Sequence, residues 1–312
     1  MNFVPVPMHI PDGFLSLGVA LFCWGVTAVV VGVALRRTQA MGEQRVPLMG
    51  IMAAFIFAAQ MINFPVAGGT SGHLLGGALA AMVLGPWPAM LVMTAVIAVQ
   101  GLLFQDGGLL AMGANILNMG LLTAAVGYGL YRAGARLRPR ARLVVAGGAA
   151  WLSVMTGALA TSLQLWLSGT ARLDIVVPAM LGVHALIGIG EALITVGALT
   201  FIARTRPEVL EPGSGQERGG RGWVLAGVLV SVLVVVLSPL ASSNPDGLER
   251  VAMDLGFFGR SADAPYHLLS GYTLPFLGET PLSTILAGLV GVGVVVLVVM
   301  FLTRLVRARR EM

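Results

Sequence analysis

Apolar runs of about twenty residues follow one another along nearly the whole chain, at roughly 16–35, 48–62, 74–84, 87–104, 110–131, 143–167, 178–203, 222–240 and 282–303. Inside hydrocarbon every backbone N–H and C=O must find its partner within the protein, and runs this long and uniformly apolar satisfy that as helices. The pattern predicts an all-α polytopic membrane protein, with a seven-span bundle followed by a two-span hairpin. The third run is too short to cross unaided. With Gly85-Pro86-Trp87-Pro88 behind it, it reads as a short or tilted helix buried among its neighbours. Only 11% of the 312 residues are charged, far too few to cover a soluble protein of this size.

The cationic residues fix an orientation. All nineteen are arginine. With the N-terminus outside, one set of loops receives Arg36, Arg37 and Arg45, then Arg132, Arg136, Arg138, Arg140 and Arg142. The same side receives Arg204, Arg206, Arg218 and Arg221, and finally Arg304, Arg307, Arg309 and Arg310. Only Arg172, Arg250 and Arg260 fall on the other side, a split that the positive-inside rule expects. The net charge of +5 therefore reports topology, not affinity for nucleic acid.

Three segments are expected. Residues 1–206 hold the seven-span domain. Residues 207–220, PEVLEPGSGQERGG, form a polar cytoplasmic linker. Residues 221–312 form a two-span accessory domain with an outer loop at 241–281, long enough to need a task. The first run is not a secretory signal, because no basic segment precedes it and Arg36-Arg37 follow it directly. Cys23 stands alone, which excludes a disulfide framework and a cysteine metal cluster.

Histidine is a poor anchor in lipid and a good ligand for late transition metals. His9 lies in Met8-His9-Ile10-Pro11-Asp12-Gly13, just before the first run, and Pro-Asp-Gly supplies a turn that can fold the segment back onto the helices. A chain opening at Met8 would offer its terminal amine, the His9 amide and the His9 imidazole, which close two fused chelate rings. His73, in the glycine-rich loop Gly68-Gly69-Thr70-Ser71-Gly72-His73, would complete a square plane. Nickel(II) accepts that geometry readily, whereas zinc prefers a tetrahedron.

Other polar residues lie inside apolar runs, where they are costly and tend to face the interior. His184 and Glu191 share a face of the seventh span; they either orient a ligand histidine or lock two helices together. Asn63, Gln100, Asn115 and Asn118 are expected to line an internal polar pocket, with Gln60, Gln105 and Asp106 near them. His267 lies in the outer loop, opened by Pro245-Asp246-Gly247-Leu248-Glu249; either turn chemistry explains that opening without a function, or the carboxylate-bearing loop gathers cations over an outer mouth by focusing the field. GxxxxGK[ST], HExxH and a nucleophile elbow are all missing from the sequence, so no catalytic residue and no route to ATP hydrolysis by a P-loop is expected.

The segments MHIPDGFLS (8–16), QMINFPVAGGTSGHLLGG (60–77), LGPWPAM (84–90), AVQGLLFQDGG (98–108) and GANILNMG (113–120) resemble, in order, the cobalt/nickel substrate-binding membrane component of energy-coupling-factor importers. The part after the linker, with PDGLE at 245–249, looks like the small accessory subunit of the same importers. The resemblance implies capture of Ni²⁺ or Co²⁺ outside the cell, with no resident cofactor. It also implies a bacterial or archaeal cell-membrane location, and as partners a transmembrane coupling protein and two cytoplasmic ATPase subunits. It implies Met8, His9 and His73 as metal ligands. The family motif starts at the initiator, whereas here it starts at residue 8.

Two readings from other classes compete. One is a stand-alone secondary metal permease, against which the scarcity of helix-interior carboxylates speaks. The other is a membrane metal sensor or scaffold, which would tolerate loss of His73 without losing uptake.

Overall fold

A computed structural model describes residues 9–39, 46–210 and 221–308; Met8 and most of the 207–220 linker lie outside them. Helix α1 (Leu17–Gln39) ends on Arg36 and Arg37, which favour a helix C-terminus and the membrane surface together. Helix α2 (Val46–Gln60) leads into a two-stranded antiparallel hairpin, β1 (Phe64–Val66) and β2 (Thr70–Gly72). The glycine-rich segment, expected as a loop, thus carries a short ladder turning at Gly68 and Gly69.

Helix α3 (Gly77–Leu84) has only eight residues, all buried, as its short run predicts. Helix α4 (Pro86–Leu103) starts directly behind it, with Pro86 in the first turn, where its missing N–H costs nothing. The 110–131 run does not form one α-helix. It divides into α5 (Met112–Asn115), a π-helical stretch (Ile116–Leu122) and α6 (Thr123–Ala133). The bundle closes with two long helices, α7 (Pro139–Leu167) and α8 (Leu173–Thr205).

The accessory part contributes α9 (Arg221–Leu237), a short amphipathic α10 (Gly247–Asp254) and α11 (Pro281–Ala308). Helices α9 and α11 pack on α2, and α11 also reaches α4. Between apolar helices in lipid the drive to associate comes from close packing, not from exclusion of water. Small residues permit that approach: Gly127 of α6 lies against Ala78 of α3, and Gly291 of α11 against the ring of Phe57 in α2.

Among the described residues, five helices are long and apolar enough to cross a membrane: α1, α4, α7, α8 and α11. Helix α4 is central, 67% buried over its apolar window, whereas α1 is 22% buried and presents Leu21, Phe22 and Val29 outward. Helix α2 and the first apolar stretch of the accessory part, which holds α9, are shorter. The all-α polytopic architecture stands, with five long helices where nine crossings were expected.

Candidate metal centre

Chain segments between helices build this site. Residues 9–12 run across the end of the bundle and are pinned from three directions. The Asn115 side chain bonds Ile10 twice, accepting from its N–H at 3.0 Å and donating to its carbonyl at 3.1 Å. The Asp12 carboxylate accepts the N–H groups of Leu109 at 2.9 Å and Ala111 at 3.0 Å. Gly108 donates to the Ile10 carbonyl at 2.9 Å. Gly107 has φ +101, and a Cβ there would stand 2.8 Å from the His9 Cβ, so only glycine lets His9 seat.

That seat fixes the His9 ring. Nδ1 lies 2.9 Å from the Asp106 carbonyl oxygen and 3.2 Å from its carboxylate Oδ1. Both are acceptors, so Nδ1 carries the proton. Nε2 of His9 is buried with no hydrogen-bond partner. A chelate closed by the His9 amide runs through Nδ1 and requires the ring to leave Asp106; the nitrogen presented as it stands is Nε2. Met8 lies outside the described residues.

His73 follows β2, and its Nδ1 donates to the Leu74 carbonyl at 3.0 Å, which likewise turns Nε2 outward as an acceptor. Its pKa is lowered to about 4, chiefly by burial and next by the neighbouring His9 imidazole. The ring is therefore neutral at pH 7, the form a metal requires. The two imidazoles stand edge to face, centroids 5.8 Å apart.

The segment behind His73 is clamped by groups the sequence flagged. Glu191 accepts the N–H groups of Leu75 and Gly76 at 2.6 and 3.0 Å, and Gln60 donates to the Leu75 carbonyl at 2.8 Å. Glu191 thus holds the loop without lining the cavity. His184 does line it, with Nδ1 bonded to the Met180 carbonyl at 2.8 Å.

Between the imidazoles lies a cavity of about 60 Å³ whose lining includes His9, His73, His184, Asn115, Asn118 and Asp246. Asn118 exchanges amide hydrogen bonds with Gln164 at 2.7 and 2.8 Å and also donates to Thr161. Gln100 is buried at the end of α4, its carbonyl accepting from the Asp106 N–H at 3.1 Å. Asn63 stands apart from the cavity; its carbonyl accepts from Ser242 at 2.8 Å.

The accessory part closes over this end. Asp246 caps α10 by accepting from the Glu249 N–H at 2.7 Å. Burial pushes its carboxyl up to about 8, helped by the charges of Glu249 and Asp106. Ser71 of β2 donates its N–H to Pro245 and its hydroxyl to Asn244, both at 2.8 Å. On the other flank Ala262 donates to the Asp12 carbonyl at 2.8 Å. Tyr272 donates its hydroxyl to Asp106 Oδ2 at 2.6 Å; burial, then the Asp106 charge, pushes its pKa well up and keeps it a phenol. Sequence spacing carried no signal for Tyr272, Gln164 or Thr161.

Among the described residues no cluster of three or more His, Cys, Asp or Glu side chains forms a metal cage. What the arrangement offers is a nitrogen-rich pocket with two imidazoles aimed into it.

Residues 9–209 match the family described as cobalt uptake substrate-specific transmembrane region, and residues 221–308 match the PDGLE domain. A protein of Archaeoglobus fulgidus, provisionally named fused nickel transport protein NikMN, is 37% identical over 304 residues, spanning 96% of this chain and 99% of that one. The fused nickel transport protein NikMN of Rhodobacter capsulatus is 31% identical over 332 residues, spanning 93% and 95%. A solved structure of a truncated transition metal transporter is 33% identical with a TM-score of 0.57, covering 63% of this chain and 99% of that one.

Proposed function

The chain belongs to the cobalt uptake substrate-specific transmembrane family and carries a PDGLE domain behind it, and from that premise we propose that it captures Ni²⁺ or Co²⁺ at the outer face of the cell membrane. It is a multi-pass membrane transport protein of the metal-importing kind, not an enzyme. As the substrate-binding component of an energy-coupling-factor importer, it hands the ion to a transmembrane coupling protein driven by two cytoplasmic ATPases. The seven-plus-two arrangement, with the metal end outside and the 207–220 linker inside, follows the arginine split.

The observation that carries this reading is the pair of imidazoles. His9 and His73 stand 5.8 Å apart by centroid and both line one small cavity, each with Nδ1 tied to a backbone carbonyl, and His9 Nε2 is buried without a hydrogen-bond partner. Tying one ring nitrogen to a fixed acceptor is how a histidine ligand is oriented toward an ion. His73 supplies a ring nitrogen, and in a chain that opens on Met8 the terminal amine, the His9 amide and the His9 ring, turned off Asp106, complete the square plane. Asn115 and Asn118 shape the pocket, His184 stands beside it, and Glu191 holds the His73 loop in register.

Calorimetry of the purified chain with Ni²⁺ and with Co²⁺ tests the site. The His73→Ala variant, folded by its melting curve, should lose high-affinity binding of both ions; retained affinity would leave the glycine hairpin with packing alone. In liposomes the isolated chain should bind metal without hydrolysing ATP. Steady uptake without partners would favour the secondary permease, and uptake that survives His73→Ala would favour a sensor or scaffold.

A further inference from the structure

At the end of the bundle away from the metal centre, α2, α3, α8 and α9 enclose an apolar groove of about 420 Å³. We propose that this groove binds an anionic phospholipid, with one acyl chain lying between α8 and α9 and the phosphate at Arg204.

The extent of the groove selects a lipid tail. Its lining begins close to arginine-bearing helix ends, at Leu48 in α2, Phe201 and Ile202 in α8, and Ala226 in α9. It stops at Phe55, Ile194 and Val230. From Leu48 to Phe55, or from Phe201 back to Ile194, is about 10 Å of helix. The hydrocarbon core is about 30 Å thick, so the groove stays within one leaflet. A partner's transmembrane helix would need a track that runs on past Phe55, whereas an acyl chain ends inside its own leaflet. Every lining residue is apolar or glycine, a wall suited to hydrocarbon and to nothing that needs a hydrogen bond.

Small residues keep the groove open. A Cβ at Gly197 of α8 would meet nothing within 4 Å, whereas one at Gly227 of α9 would stand 2.4 Å from Ile51 Cγ2. Helix α9 is thus seated closely on α2, and the groove separates it from α8. Close packing is what holds helices together in lipid, and a gap forfeits those contacts until an apolar chain fills it.

Positive charge marks the mouth. Ile194, Gly197, Ala198 and Phe201 share one face of α8, and Arg204 continues that face a turn further on. Arg204 is exposed and pairs with no carboxylate among the described residues. Helix α9 opens on Arg221. A guanidinium grips phosphate through a fork of N–H donors, and basic residues beside a membrane helix draw anionic headgroups. The accessory domain is then held at two levels, by backbone pairing over the metal centre and by a shared lipid tail at the opposite end.

The test uses the full chain in mild detergent. Native mass spectrometry should find a phospholipid bound. After delipidation, phosphatidylglycerol should raise the melting temperature by about 3 °C or more beyond the effect of phosphatidylcholine. Gly197→Phe, whose ring fills the groove, should abolish that response. Arg204→Gln should respond to both lipids equally. Equal stabilisation of the wild-type chain by the two lipids would overturn the proposal, as would an undiminished phosphatidylglycerol response in Gly197→Phe. Should Gly197→Phe fail to fold, phosphatidylglycerol with a photoreactive tail tests the wild-type chain directly. Cross-links concentrated at 194–202 and 226–230 support the site, and cross-links spread evenly around the helices overturn it. Loss of those cross-links when the chain is purified with its transmembrane partner would give the groove to a partner helix and overturn it too.

Discussion

Glu191, midway along α8, accepts the backbone N–H of Leu75 at 2.6 Å. A carboxylate buried in a membrane helix is expensive, and this one spends its charge on two backbone donors of the segment that carries His73. Glu191→Gln keeps the size but offers one acceptor where two are needed. We expect a loss of about 1–3 kcal/mol in stability from the unpaired N–H, read as a lower melting temperature in detergent. Nickel affinity should fall with it, because His73 loses its register.

Two glycines should separate the metal seat from its cover. Gly107→Ala forces a side chain onto His9 at φ +101 and should weaken metal binding directly. Gly13→Ala, at φ +91, would put its Cβ on the Arg260 carbonyl. It should loosen the accessory loop while leaving affinity at saturating metal nearer to wild type. Each carries about 1–3 kcal/mol of backbone strain. Calorimetry for binding, and protease sensitivity of the 241–281 loop, should respond in opposite proportion in the two variants.

Asp246 gives the accessory loop a pH dependence. Its folded pKa of about 8 lies above the ordinary carboxylate value, so folding favours the protonated form. The stability it contributes is complete below the unfolded value near 4 and is lost as pH rises through about 8. Glu249 and Asp106, the charges acting on it, deepen that loss as carboxylates. Melting temperature should therefore decline from pH 6 to pH 9. Asp246→Asn should flatten that decline while still capping α10.

The proposed orientation makes a direct claim about the 132–142 loop, which carries five arginines. A cysteine introduced at position 138, with Cys23 replaced by alanine, should react with membrane-permeant reagents and resist impermeant ones added outside whole cells. Labelling from outside alone would reverse the whole arrangement.

Much of this was legible in the chain. The apolar runs gave the helical class, because lipid permits so few alternatives. The eight-residue α3 was foreseen from a run too short to cross and a Gly-Pro-Trp-Pro stop. His9 and His73 stood out because histidine has no reason to sit beside lipid unless something holds it. The breaks were less visible. The 110–131 run has ordinary helical composition, yet its middle is π-helical, a register shift set by packing that hydropathy does not encode. Glu191 was seen as costly, but its partners are backbone N–H groups, which leave no mark in a sequence. Tyr272 was invisible for a plainer reason: it meets Asp106 across 166 positions, inside a loop with no periodicity.

The bonds that seat the accessory domain have a consequence for how the two parts can diverge. Ser242 to Asn63, Ser71 to Pro245 and Ala262 to Asp12 each join main-chain N–H to main-chain carbonyl. Such pairing recognises the path of a chain and is largely indifferent to what hangs from it. Surface side chains along this seam are free to drift in either part without a matching change in the other. A PDGLE hairpin grafted from a relative should therefore dock on this bundle, provided it keeps its backbone course, the tyrosine that reaches Asp106 and the buried apolar contacts beneath, such as Phe257 on Phe14.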